Sequence, residues 1–364
     1  MNGQINEKQA HSIKPTTMQQ LHQSTNFSCP TWLLLTFYLS FMMGFMKADS
    51  IQWSTFMGDS NENSTEAVAV GPDGTVYAAQ LGVGEDFQPD YSVGDSPVYM
   101  IHHFSSDGST RIWSAGIEIG YSASTPEQYN KPDSPNPFGY GSITAIAVDE
   151  AGDVILAANG GVHSDWPTSN ALQDAFAGGD LDGMLLKLSA SGDEILFSSY
   201  FGGNRYDRIR DVKVLPDGRI VLAGSTTSPD LPGLSPDAKP IAENTAATFI
   251  TILSPDGAAP KTYLYGSELA NSLTDCYTVV PGPNETLWAG LITSTDIMFV
   301  GEHAFQKEHG GLTDGYLMEI SLEDGVILNA TYYGGSSADH IKSLDLSDEG
   351  GRRLKNWPKA SEKF

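Results

Sequence analysis

Carboxylates recur at fixed places along this chain, and they are the residue type on which chemistry would most readily be built. Asp86, Asp165, Asp230 and Asp296 fall in loops at comparable points of successive units. Asp182 and Asp314 open strand-like runs, and Asp207 and Asp339 follow Gly-Gly pairs, with Glu62 at the matching place. Calcium suits such side chains, since it takes about six to eight oxygen ligands from carboxylates and backbone carbonyls. Gly179-Asp-Leu-Asp-Gly183 supplies Asp180 and Asp182 at part of a calcium-loop spacing, without the third acid and the closing Glu. The competing role is turn capping, because a short Asp side chain bonds readily to nearby backbone. Calcium held by Asp86, Asp165, Asp230, Asp296, Asp180 and Asp182 is one expectation; capping is the other.

Two aromatic residues, Trp166 and Phe87, also lie in loops, where a ring can stack on a sugar. His102-His103 and Asp107 are close in sequence, but adjacent strand residues face opposite sides of a sheet, which argues against a shared zinc. His163, His303 and His340 read as solvated loop residues. No Gly-x-Ser-x-Gly elbow is present, nor a phosphate loop, a dinucleotide fingerprint or a Cys-x-x-Cys pair. No carboxylate pair stands at a spacing diagnostic of glycosidase chemistry. Of the two cysteines, Cys29 precedes an apolar run, so Cys276 is expected as a small core residue and a disulfide framework is excluded. Lys+Arg 20 against Asp+Glu 45 gives a formal charge of −25, which repels phosphate backbones and excludes nucleic acid as a partner.

The elements that would position these residues announce themselves by repetition. Gly139-Tyr-Gly-Ser-Ile-Thr-Ala-Ile-Ala-Val-Asp-Glu-Ala-Gly-Asp-Val-Ile-Leu-Ala-Ala-Asn159 reads as strand, tight turn and strand, with Gly152 supplying the positive φ of the turn. The same phrase returns around Gly74, Gly218, Asn284-Glu285 and Gly350, at spacings of 78, 66, 67 and 65 residues. Asn tolerates the left-handed region, so the fourth turn is a reasonable variant. A second hairpin follows each complete first one, with turns at Gly108, Gly192, Gly257 and Gly325. Aromatics crowd the fourth strand (Trp53, Trp113, Tyr200, Phe201, Tyr263, Tyr332 and Tyr333), which suits packing between neighbouring units. On the strand 143–148, Ile146 and Val148 are expected on one face, and Ile143, Ala145 and Ala147 on the other. Four antiparallel strands per unit at a nearly fixed period predict an all-β propeller of four-stranded blades, about four blades plus an incomplete fifth.

Flanking segments differ from the repeats. Residues 1–49 form a leader whose uncharged run 32–46 fits a secretory signal core better than a membrane span, which needs about 20 apolar residues. The alternative is a retained anchor. The repeats occupy 50–350, with an insert near Pro126–Pro137, and 351–364 is a basic tail that breaks the pattern. The strand Ile51-Gln-Trp-Ser-Thr-Phe56 matches the last strand of a blade.

Three phrases carry a resemblance: Ser199-Tyr-Phe-Gly-Gly-Asn-Arg-Tyr-Asp207, Thr331-Tyr-Tyr-Gly-Gly-Ser-Ser-Ala-Asp339 and Ala223-Gly-Ser-Thr-Thr-Ser-Pro-Asp-Leu-Pro232. With Ser164-Asp-Trp-Pro167 and Ala304-Phe-Gln306, they are similar to the SBBP (seven-bladed β-propeller) repeat. Asn271 stands where that pattern would place the equivalent of Asp207 and Asp339. The resemblance implies a bacterial, secreted or surface-exposed propeller without assigned activity. The expected function is a binding scaffold for a protein, polysaccharide or extracellular matrix ligand. The alternative is a hydrolase or lyase acting on polysaccharide through axial loop carboxylates.

Overall fold

The computed structural model describes residues 64–81, 89–93, 99–117, 120–121, 142–161 and 164–346, apart from 236, 237, 239, 267, 269 and 297; at 81, 120, 121, 164 and 165 it describes backbone alone. The run 32–46, the strand 51–56, Glu62, Asp86, Phe87, His163, the insert 126–137, Gly350 and the tail lie outside the described residues. Among the described residues all regular structure is β and no helix occurs.

Four sheets follow one another along the chain. Blade 1 comprises β1 (Ser64–Val70), β2 (Val76–Leu81), β3 (Tyr91–Val93), β4 (Tyr99–Phe104) and β5 (Arg111–Ile117), ordered β1-β2-β4-β5-β3. The added edge strand β3 runs parallel to β5, a feature the four-strand pattern did not announce. A two-residue strand β6 (Gly120–Tyr121) leads out of it. Blade 2 is β7 (Ser142–Val148), β8 (Val154–Gly160), β10 (Asp182–Leu188) and β11 (Ile195–Phe201), while β9 (Ser164–Asp165) pairs with β6. Blade 3 is β12 (Asp207–Val214), β13 (Ile220–Thr226), β14 (Ala247–Leu253) and β15 (Lys261–Tyr265). Blade 4 is β16 (Thr274–Gly282), β17 (Thr286–Thr293), β18 (Asp314–Ser321) and β19 (Ile327–Tyr333).

The turns behave as their residues require. Gly74, Gly152 and Gly218 have φ of 80°, 85° and 86°, and Asn284 and Glu285 take 57° and 56° in the fourth copy. The turn conformation is thus kept although its glycine is gone, with Asn bearing part of the left-handed cost.

A blade that is apolar on both faces must be covered on both faces, and the blades do this for one another. One core joins blades 1 and 2, including Tyr77, Tyr99, Trp113, Ile146 and Leu186. A second joins blades 2 and 3 and a third joins blades 3 and 4, the latter taking in the fully buried Cys276 as a small core residue. The innermost strands β1, β7, β12 and β16 pack in succession, and no comparable packing joins β16 back to β1 among the described residues. Among the described residues the ring is therefore not closed.

Each innermost strand carries a β-bulge at the same point, leaving Glu66, Thr144, Arg210 and Tyr277 out of the ladder. An extra residue reverses the alternation of side chains beyond it. Ile143 consequently shares the face of Ile146 and Val148, in the core between blades 1 and 2, while Ala145 and Ala147 face blade 3. Simple alternation had placed Ile143 with the alanines.

Polar contacts fix the blades in register. Asn159, 1% exposed on β8, donates from Nδ2 to the Ile209 carbonyl at 2.9 Å and accepts the Ile209 N–H at 2.8 Å. Asp211 Oδ2 accepts the Val279 N–H at 2.9 Å, and Trp113 Nε1 donates to the Ala190 carbonyl at 3.0 Å. Replacing Asn159 by Ala leaves a buried N–H and C=O of β12 without partners. We expect it to destabilise the fold by about 2–3 kcal/mol, read as a lower urea midpoint at unchanged slope. An unchanged midpoint would mean that the Asn159 contacts do not help to hold blades 2 and 3 together.

Candidate functional site

Asp182 is fully buried, and its Oδ2 accepts the Ala177 N–H at 2.7 Å. A Cβ on Gly202 would collide with its carboxyl, and one on Gly203 would collide with Ser228 and Asp230. Asp207 accepts from the Gly203 N–H at 2.6 Å, from Thr226 Oγ1 at 2.5 Å and from Ser228 Oγ at 2.7 Å. Asp230 Oδ1 accepts the Asn204 N–H at 2.9 Å. The Gly-Gly phrase of blade 2 and the Ser-Pro-Asp phrase of blade 3 therefore form one lock between neighbouring blades. Blade 4 repeats the contacts of the first two acids: Asp314 Oδ2 accepts the Gly310 N–H at 2.7 Å, and Asp339 Oδ2 accepts the Gly335 N–H at 2.8 Å.

Burial, together with the charges of Asp207 and Asp230, pushes the Asp182 carboxyl up to about 7, although the Ala177 N–H works the other way. Burial likewise raises Asp207. Asp180 and Asp296 are exposed on separate loops, and the side chain of Asp165 is outside the description. Among the described residues no three His, Cys, Asp or Glu side chains gather as a metal-binding group.

Several other expectations meet the structure differently. Trp166 is 3% exposed; its Nε1 donates to the Leu185 carbonyl at 3.1 Å and its N–H donates to Tyr200 Oη at 2.8 Å. It is a core residue and has no free face for a sugar. Thr274, rather than Asn271, takes the place equivalent to Asp207, because each opens an innermost strand opposite a threonine of the second strand. Asn271 lies earlier, in the loop, at φ 61°. Most fourth-strand aromatics are packed between blades, but Tyr333 is 50% exposed.

That exposure leads to the site. A groove of about 650 Å³ runs along the flank of blade 4, between its sheet and the segment 340–346. Trp288, Leu317, Tyr333, Phe305, Asn329 and His303 line it, together with His340 and Lys342 of that segment. Phe305 and Tyr333 lie 6.0 Å apart between ring centroids. Ile341 seats the segment against β17 and β18 by filling the space over Gly290 and Gly315.

His340 and Lys342 also belong to a cluster built on the bulges. Arg210 donates to Asp275 from Nε at 3.0 Å and from Nη2 at 2.5 Å, and its guanidinium lies 4.4 Å from the centre of the Tyr277 ring. Burial opposes the Arg210 charge, but the hydrogen bonds and charge of Asp275 outweigh it and raise the guanidinium above its ordinary value. Tyr277 stacks with His340 at 6.0 Å and 26°, and Lys342 Nζ lies 5.9 Å from the same ring. His340 is thus part of a stacked cluster and not merely a solvated loop residue. Sequence reasoning passed over Arg210, Tyr277 and Lys342. The available signal was that one aligned position carries Glu66, Thr144, Arg210, Tyr277 and Lys342 in turn, chemically unlike amid repeated neighbours.

Comparison with known proteins adds little to this geometry. No family model matches the chain, and no curated protein sequence does. Among solved structures, it is similar to a protein of unknown function from Dyadobacter fermentans DSM 18053, at 11% identity and TM-score 0.38, covering 75% of this chain and 66% of that one. It is also similar to Kuenenia stuttgartiensis hydrazine synthase, at 10% identity and TM-score 0.33, covering 75% of this chain and 68% of that one. A third is MPT-4, a mannose phosphorylase from Leishmania mexicana, at 12% identity and TM-score 0.35, covering 87% of each chain. The chain thus spans just under two thirds of the Dyadobacter protein.

Two measurements test the roles of the acids. The folded pKa of Asp182 lies above its free value, so its contribution is full below about pH 4 and is lost as pH rises towards 7. Asp182→Asn should therefore gain on the wild type as pH rises across that window, on the order of 5 °C in midpoint by pH 8. A pH-independent difference would remove the buried charge from the account. His102 acts oppositely: burial lowers it to about 4, so in both proteins its contribution falls as pH drops from 6.5 towards 4. Calcium and a chelator should give the same unfolding midpoint, since Asp182, Asp207 and Asp230 are engaged with backbone N–H groups. A midpoint that climbs with calcium concentration would show that the acids bind it.

Proposed function

We propose that the chain is a non-catalytic binding scaffold of the SBBP-repeat type, secreted or displayed at the cell surface, that holds a macromolecular ligand at the open flank of blade 4. The observation that carries this reading is the groove with two half-exposed, mutually tilted rings, Phe305 and Tyr333, in its lining. Aromatic rings supply contact area at low conformational cost and dominate many binding surfaces. The Gly-Gly and Ser-Pro-Asp phrases support the repeat assignment, because their contacts give those phrases a physical reason to recur together. The secreted location rests on the sequence of the leader. A protein, a polysaccharide and a matrix component each fit this reading as ligand.

The acids at the blade lock do not support the hydrolase or lyase reading. The carboxyls whose pKa is raised by burial at the blade lock, Asp182 and Asp207, have no exposed surface from which to reach a substrate.

Surface plasmon resonance against immobilised neutral and uronic-acid polysaccharides and matrix proteins tests the proposal. At least one should bind, and the double substitution Phe305→Ala with Tyr333→Ala should weaken it about tenfold or more. Binding indifferent to both rings, or turnover of a polysaccharide that is lost with one or two acids, would overturn it.

A further inference from the structure

Blade 1 meets blade 2 through a buried histidine. Adjacent residues of β4 face opposite sides of the sheet, and the ladders set His103 directly between Tyr77 of β2 and Trp113 of β5. His103 is 7% exposed. Its ring stacks on Tyr77 at 4.0 Å and 9°, and meets Trp113 edge-on at 5.3 Å and 65°. Both of these neighbours belong to the core between blades 1 and 2. Trp113 also reaches across it, donating to the Ala190 carbonyl at 3.0 Å and packing over Gly192. A Cβ on Gly152, in the first turn of blade 2, would stand 3.9 Å from the Tyr77 hydroxyl. The slot that holds His103 is thus part of the joint between the two blades.

Both ring nitrogens of His103 are buried, and among the described residues neither has a hydrogen-bond partner. A buried polar atom without a partner is costly, and a buried unpaired charge far more so. A phenyl ring would fill the slot without that cost; what the imidazole adds is a proton site that titrates near neutral pH. The charged groups around the slot are already engaged. Asp73, whose charge favours the imidazolium, is exposed and accepts from the Thr75 N–H at 3.0 Å and from Thr75 Oγ1 at 2.6 Å. Asp107 accepts from Ser105 and Ser109, and Arg111 lies 3.8 Å from Asp90. Across the interface Lys187 pairs with Asp149 at 2.8 Å and with Asp153 at 3.3 Å, Ser189 and Ser191 donate to Asp193, and Glu150 and Glu194 are exposed. An imidazolium in the slot would have only aromatic rings beside it, whose attraction returns less than the lost hydration costs.

We propose that His103 is an acid-sensitive latch: on gaining a proton its imidazole leaves the slot between Tyr77 and Trp113, and the joint between blades 1 and 2 opens. Burial lowers His103 against the opposing charge of Asp73, so its folded value lies below its free one. The latch therefore contributes in full above about pH 6.5 and weakens as pH falls below it. This goes beyond the scaffold reading and holds whichever ligand the chain binds.

Hydrogen exchange of the full chain at about pH 7.5 and about pH 5 tests the latch. Protection of β2, β4 and β5, corrected for the intrinsic pH dependence of exchange, should fall about tenfold at the lower pH, while β12–β19 keep theirs. His103→Phe keeps the aromatic packing and removes the proton site, so its blade 1 should stay protected at the lower pH; a near-neutral thermal midpoint shows that it is folded, and His103→Gln serves if it is not. His102→Gln should retain the wild-type fall, because His102 lies on the other face of β4. Protection that does not change with pH, a fall shared equally by all blades, a fall that survives the His103 substitutions, or one lost with His102→Gln would each overturn the inference.

Discussion

A sheet that is apolar on both faces cannot rest against water on either, and every level of this structure follows from that constraint. Three cores between consecutive blades discharge it internally, each made of aliphatic and aromatic side chains from two sheets. The polar contacts are subordinate. Asn159 on Ile209 and Asp211 on Val279 set how the blades meet, but burial is what brings them together. The constraint is also what makes the flank of blade 4 informative. A surface of core type left half-covered is either an interface or a liability.

Much of the fold was legible because its signals are local. A turn that needs positive φ selects Gly or Asn within a few residues, so Gly152 and Asn284 could be read without knowing what they turn towards. The blade count follows from the spacing of such turns. The bulges were not legible, because an unpaired residue is defined by the partner strand; Thr144 looks like any other strand residue, and Ile143 was assigned to the wrong face. Trp166 illustrates the same limit. It lies in a loop by sequence, but only the arrival of Tyr200 and Leu185 shows that the loop is folded inwards.

The candidate site was less legible than the fold. Periodicity highlights what every blade shares, and of the recurrent acids Asp182, Asp207 and Asp230 are parts of the lock between blades 2 and 3. Asp182 and Asp314 take equivalent roles under Gly202 and Gly334, which explains their recurrence in structural terms. What distinguishes one blade from the next is carried by residues that repetition hides. Tyr333 differs from Phe201 by a hydroxyl and by being 50% exposed where Phe201 is buried, and it is the exposed ring that lines a groove.

The bulges themselves have a consequence for how such a chain can diversify. A residue excluded from the ladder answers to neither strand propensity nor register, so its side chain can change without altering how the sheet pairs. Glu66, Thr144, Arg210 and Tyr277 are a negative charge, a hydroxyl, a positive charge and an aromatic ring on one repeated backbone. The fold thereby sets aside one freely variable position per blade along its inner edge, where new recognition chemistry can be written while the architecture stays the same.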